Sequence, residues 1–215
     1  MSLLLADLQN RIESRYDLEI PYCIEHFVSC DRAVADRLAD EQACHGRQRP
    51  PVDEEVVFIH QQEDSLEFTV YVDEQLLATV GESQSDLDGF CTVVEGASHA
   101  VCLLWHAHYD RQIRPIDLEL QAEIDKYVIL AEGSSCTVER RELHRRLFAN
   151  SSLMPAQGTP LHDRYRTASQ LASRYCHWLN LRFIEVDDQI ALQQELARFY
   201  RLSGRAKFDR IRRLH

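Results

Sequence analysis

Residues 94–110, VEGASHAVCLLWHAHYD, are the stretch on which the reading of the fold turns. As a helix they put Glu95, His99, Cys102, His106 and Asp110 on one side, because steps of three and four residues return to the same face. Leu87, Phe90, Val94, Ala97, Val101 and Leu104 recur at the same spacings, so the helix begins near Leu87 and carries an apolar stripe despite Gly89 and Gly96. At about 100° per residue, Glu95, His99 and His106 fall opposite that stripe. A polar face opposite a core face is what any surface helix has. The ligand-type side chains therefore gain meaning only through the next helix.

That helix, IDLELQAEIDKYVILA (116–131), follows a turn at residues 111–115, and so short a connection makes the two antiparallel. It has two apolar stripes, Ile116/Leu120/Ile124 and Leu118/Ala122/Ile129, with Glu119, Glu123 and Lys126 between them. The hairpin is expected to bring His106 to Glu119 and Glu123, and His99 to Lys126. Imidazoles and carboxylates projecting from facing helices are the donors that hold iron, manganese or zinc, so His99, His106, Glu119 and Glu123 form the candidate metal site. Four residues separate Glu95 from His99, which departs from the Glu-x-x-His spacing of di-iron bundles. The competing account is an ion-pair network of Glu119, Glu123 and Lys126 with neutral histidines as hydrogen-bonding neighbours.

Upstream the period changes. In SLEFTVYVD (65–73), Leu66, Phe68, Val70 and Val72 alternate with polar residues, the pattern of a strand with one buried face. VVFIH (56–60) precedes it and QLLATV (75–80) follows it, so a three-stranded antiparallel meander over about residues 56–80 is expected. Helices are expected at 3–16, in two pieces within 22–41 with Asp31 as a cap, at 137–149, from Thr159-Pro160 to about Leu179, and from Asp187 or Asp188 to about Leu202. Residues 45–53 and 150–158 read as loops. The fold class is α+β and mostly helical, an antiparallel helical bundle with a small meander, in one domain of 1–215 ending in a basic tail, 203–215.

The 215 residues suffice for a real core, and the net charge of −11 is unevenly spread. Residues 1–100 carry 21 acidic residues against 6 arginines, while 101–215 carry 14 against 18 basic ones. Between Arg198 and His215 seven cations meet one acid, Asp209. Arg205, Lys207, Arg210, Arg212 and Arg213 are therefore the candidates for binding nucleic acid or an acidic partner, the acidic half of the same chain included. The seven cysteines, without a Cys-x-x-Cys pair, read as reduced thiols. Cys23, His26 and Cys30, with Cys44 or His45, have the donor count of a zinc site but not the spacing of a known finger.

No nucleophile elbow, phosphate-cradling glycine loop or catalytic Cys–His signature is present. No apolar run approaches a membrane span, and Leu3-Leu4-Leu5 lacks the basic leader of a signal peptide. A cytoplasmic protein with no membrane association is the expectation. Two lysines against 22 arginines match the codon bias of a GC-rich bacterial genome. By elimination, the first reading of function is a non-catalytic interaction or accessory module acting with a protein partner or a second copy of itself. A metal-dependent enzyme with the His/Glu site follows, then nucleic-acid binding through the tail.

Overall fold

The computed structural model describes residues 3–44, 49–61, 66–82, 86–134, 136–149 and 159–214. Of the expected loops 45–53 and 150–158, residues 45–48 and all of 150–158 lie outside the described residues. The chain divides into two compact units, residues 1–10 with 20–111, and residues 11–19 with 112–215.

The first unit takes the opening turns of helix α1 (Leu3–Tyr16), a 3-10 turn (Ile24–His26), strand β1 (Val28–Ser29), helix α2 (Arg32–Cys44), strands β2 (Glu55–Gln61) and β3 (Leu66–Val72), and helices α3 (Glu74–Glu82) and α4 (Leu87–His108). Helix α1 follows its expected stripe, with Leu5 and Leu8 buried. Gln9 ties it to the chain that follows, donating to Tyr22 O (2.7 Å) and accepting from Ile24 N (2.9 Å). Asp31 begins α2 by accepting from Ala33 N at 2.8 Å, satisfying one of the donors a helix start leaves open.

The protein is mostly helical with a three-stranded sheet, but the sheet is mixed, in the order β1-β3-β2, and not an antiparallel meander. β2 and β3 pair antiparallel from Glu55 opposite Val72 to Gln61 opposite Leu66, whereas β1 runs parallel to β3. The expected third strand, QLLATV, is instead the body of α3. The Asp73 carboxylate accepts from the backbone N–H groups of Gln75 (2.9 Å) and Leu76 (3.0 Å), a helix-starting cap that overrides a short apolar run. The sheet is also covered on both faces where one was expected. Phe58 and Tyr71 pack with Ala35 and Ala39 of α2 on one face, while Val70 and Val72 meet α4 on the other.

Helix α4 is buried almost all round from Cys91 to His106. By length and composition it could cross a membrane, but 83% of its most apolar window is buried inside the protein, as in the core helix of a globular unit. Asp86 caps it by accepting from Gly89 N (3.2 Å).

The second unit comprises the end of α1 and helices α5 (Pro115–Glu132), α6 (Thr137–Ala149), α7 (Pro160–Leu179), α8 (Gln189–Tyr200) and α9 (Arg205–Arg212). A π-helical turn (Asn180–Ile184) extends α7, closed by bonds from Glu185 N to Asn180 O and from Asp188 N to Phe183 O. Thr159 and Asp188 cap α7 and α8, as their sequences suggest. α5 and α7 make the main packing of this unit, around Leu120, Ile124, Tyr127, Ala172, Tyr175 and Leu179.

A buried polar chain crosses the second unit. Tyr16 and Gln121 both donate to Asp125 Oδ1, the latter at 2.9 Å, and Lys207 Nζ donates to Gln121 Oε1 at 2.9 Å. Lys207 is 1% exposed and lies over the rings of Phe199 and Tyr200 at 5.3 and 5.4 Å. This ammonium group is one anchor of α9.

Candidate metal centre

The polar stripe of α4 does not face solvent. His99 is 2% exposed and His106 3% exposed. The apolar stripe is one buried face of α4, and the helix also packs on the sheet. Its residues opposite that stripe are therefore inside the unit.

What lies against them is the start of β2. Glu55 Oε1 stands 3.1 Å from His99 Nδ1, a pair 44 residues apart in the chain and almost wholly buried. Glu95, one helical turn before His99, completes the set: one ligand atom from each of Glu55, Glu95 and His99 lies within 4.8 Å of the others. Among the described residues this is the one group of three or more metal-ligand side chains that come together.

Gly96 makes this approach geometrically feasible. A Cβ built there would stand 2.7 Å from Val72 Cγ2 and 3.4 Å from Glu55 Cγ. The bare Cα lets α4 sit close enough on β2 and β3 for helix and strand carboxylates to meet.

Bonds from a divalent ion to imidazole nitrogen or carboxylate oxygen are about 2.0–2.2 Å, so donors on opposite sides of the ion stand about 4.0–4.4 Å apart and neighbouring donors closer. The observed spacing needs only side-chain rotation to close on an ion. Two carboxylates and one imidazole suit zinc, manganese or iron(II), and three protein donors leave positions for water.

Of the four ligands expected from sequence, His99 is in this group. His106 Nδ1 is 2.8 Å from Cys102 O, a contact within its own helix. Glu119 faces Arg164 Nη2 at 3.3 Å, and Glu123 pairs with Lys126, both within the second unit. The pairing of Glu123 with Lys126 is part of the ion-pair alternative. Glu55 was missed, because no periodicity relates a strand's first residue to a helix 40 residues on. The available signal was the cluster VDEEVV, where a carboxylate enters a strand that alternates apolar faces.

The cysteine constellation is dispersed: Cys23 and Cys30 are half-buried, Cys44 is exposed, and His45 lies outside the described residues. Cys23 Sγ contacts Glu25 at 3.8 Å.

The basic tail is the helix α9, and its cations divide into two sets. Lys207 is buried as described, and Arg210 forms a two-bond pair with the Glu195 carboxylate at 3.1 and 2.9 Å. Arg205 and Arg212 flank Asp209 at 3.5 and 4.0 Å and, like Arg213, face solvent. The ammonium of Lys207 is taken up in packing and the guanidinium of Arg210 in an ion pair, while Arg205, Arg212 and Arg213 present their charge to solvent.

No protein-family model matches the chain, and neither a curated protein nor a solved structure matches it.

Proposed function

We propose that the protein binds a divalent metal ion through Glu55, Glu95 and His99, and that this is the site of a metal-dependent enzyme. The observation that carries the reading is the meeting of three ligand atoms, from a strand and a helix, within 4.8 Å in a largely buried setting. Two carboxylates and an imidazole held largely away from water form a donor set that a divalent cation can balance. A bound ion would supply a Lewis acid and an acidified water. The protein's part is to hold three donors rigidly on α4 and β2 and to keep bulk water from most of the shell. In this reading the helices of the second unit form an antiparallel bundle. A cysteine content that is odd in number and has no Cys-x-x-Cys pair fits the cytoplasmic setting of this reading.

The test is a titration of metal-stripped protein with zinc and manganese, followed by calorimetry. Wild type is expected to bind one ion per chain. Glu55→Gln and His99→Gln are expected to bind at least about tenfold more weakly while keeping the wild-type circular dichroism. Absence of binding in wild type, or equal affinity in both variants, would remove the reading.

A second reading, a module that acts with a protein partner or a second copy of itself, is favoured by one surface feature. Leu181, Val186 and Ile190 are 47%, 65% and 74% exposed within ten residues of one another, an apolar concentration at the junction of the π turn and α8. Sedimentation velocity across a hundredfold range of concentration checks it. Association that disappears in Val186→Asp and Ile190→Asp is expected, and a wild type that is monomeric throughout contradicts self-association.

A further inference from the structure

We propose that the second unit carries a binding site for a small α-amino or α-hydroxy carboxylate, built from Tyr127, Arg140 and Asn180 where α5, α6 and the π turn meet. The starting observation is that Tyr127 OH, Arg140 Nε and Asn180 Oδ1 are buried atoms that make no hydrogen bond to the described residues. Tyr127 is fully buried and Asn180 nearly so. About nine in ten buried polar groups find a partner in folded proteins, so three on elements packed against one another call for an explanation.

Their proximity follows from the contacts around them. His144 of α6 lies against α7, 2.9 Å from Ser173 O, with its ring 5.8 Å from that of His177. Further towards the start of α6, Arg141 reaches Glu185 just beyond the π turn, at 3.9 Å. The contacts thus run in opposite directions along α6 and α7, and Arg140, one turn before His144, stands level with Asn180, one turn after Cys176. Tyr127 comes from α5 to the same place, its ring 5.8 Å from His144. Burial raises the Tyr127 hydroxyl above its ordinary range, Cys176 adds to this, Arg140 opposes it and Glu185 adds again, so the phenol is a neutral donor within electrostatic reach of both charged groups.

The chemistry of the three atoms selects the ligand. Arg140 Nε–H can only donate, and its Nη2 is already used on Ser134 O at 3.2 Å. Tyr127 OH can donate beside it. Asn180 has its amide nitrogen fixed on Glu185 Oε1 at 2.7 Å, which leaves Oδ1 as an acceptor. Two donors and one acceptor match a carboxylate with an N–H or O–H on the adjacent carbon. An aliphatic carboxylate without that group leaves Asn180 unanswered, at a loss of about one hydrogen bond's worth of affinity. The π turn bonds the Glu185 backbone N–H to Asn180 O at 2.8 Å and so sets Glu185 beside Asn180.

The site is separate from the Glu55/Glu95/His99 group and needs no metal. It is tested on metal-stripped, full-length protein with glycine, L-lactate and acetate as probes, read by NMR chemical-shift changes and thermal shift. Glycine or lactate is expected to bind at millimolar concentrations, acetate about tenfold more weakly, and Tyr127→Phe, which removes one oxygen without altering packing, at least about tenfold more weakly than wild type. Arg140→Gln, on the half-buried rim, provides a second variant with the same expected loss. The proposal is overturned if no probe binds wild type at tens of millimolar, if acetate binds as well as glycine and lactate, or if Tyr127→Phe binds as wild type does.

Discussion

Asp125→Ala is expected to destabilise the second unit by about 3–5 kcal/mol, the range found when one partner of a buried charged network is removed. Asp125 is 1% exposed and accepts from both Tyr16 and Gln121. Its loss strands a phenol and an amide donor inside the protein, and it removes the negative end of a chain whose other end is the buried Lys207 ammonium. Against a total stability of about 5–15 kcal/mol this is a large fraction. The melting temperature should fall by roughly 6–20 °C. Asp125→Asn, which keeps an acceptor for Tyr16, should lose distinctly less. Thermal and urea melts of the three proteins decide it, and a drop below about 1 kcal/mol for Asp125→Ala would show that the chain of hydrogen bonds does not hold α9.

Gly96→Ala is expected to weaken both the fold and the metal centre. On helix propensity alone the change is favourable by about 1 kcal/mol. The new methyl, however, would stand 2.7 Å from Val72 Cγ2, on a β-branched side chain that is fully buried and cannot rotate aside. Overpacking costs about 1–3 kcal/mol, and a 2.7 Å approach to a side chain that cannot yield belongs in the upper part of that range, so the net effect is destabilising by about 1–2 kcal/mol. The relief available is for α4 to move off the sheet, and Glu55 is the next atom in the way at 3.4 Å. The expected result is a melting temperature lower by several degrees together with at least a tenfold loss of zinc or manganese affinity. Loss of stability with unchanged affinity would separate the glycine from the site.

The helices were legible where local rules act alone. The stripe Leu5, Leu8, Ile12 and the caps at Asp31 and Thr159 are determined by neighbours in sequence, and the structure places those elements as expected. The strand pair 55–61 and 66–72 was legible for the same reason. The third strand was not, because two residues, Val28 and Ser29, paired in parallel across forty positions, leave no pattern of their own. Nor was α3, where the Asp73 side chain outweighs a run of apolar residues.

At the site, His99 and Glu95 were visible as ligand types on one face of one helix. That this face is covered was not visible, since burial of a helix on two sides depends on what the rest of the chain lays against it. Glu55 is the clearest case. Its role depends on the register that sets it opposite Val72 and on the absence of a side chain at Gly96, and both are properties of tertiary packing. The tail shows the converse. Lys207 and Arg210 read as a surface charge run, yet each is taken up by a specific partner, Gln121 and Glu195.

The donor set of the ion can be read by X-ray absorption at the zinc edge of protein loaded to one equivalent. Coordination by Glu55, Glu95 and His99 should give a shell of oxygen and nitrogen at about 2.0–2.1 Å with a single imidazole and no sulfur, and a spectrum that changes in His99→Gln by loss of that imidazole. A shell containing sulfur at about 2.3 Å, two or more imidazoles, or a spectrum indifferent to His99→Gln would contradict it.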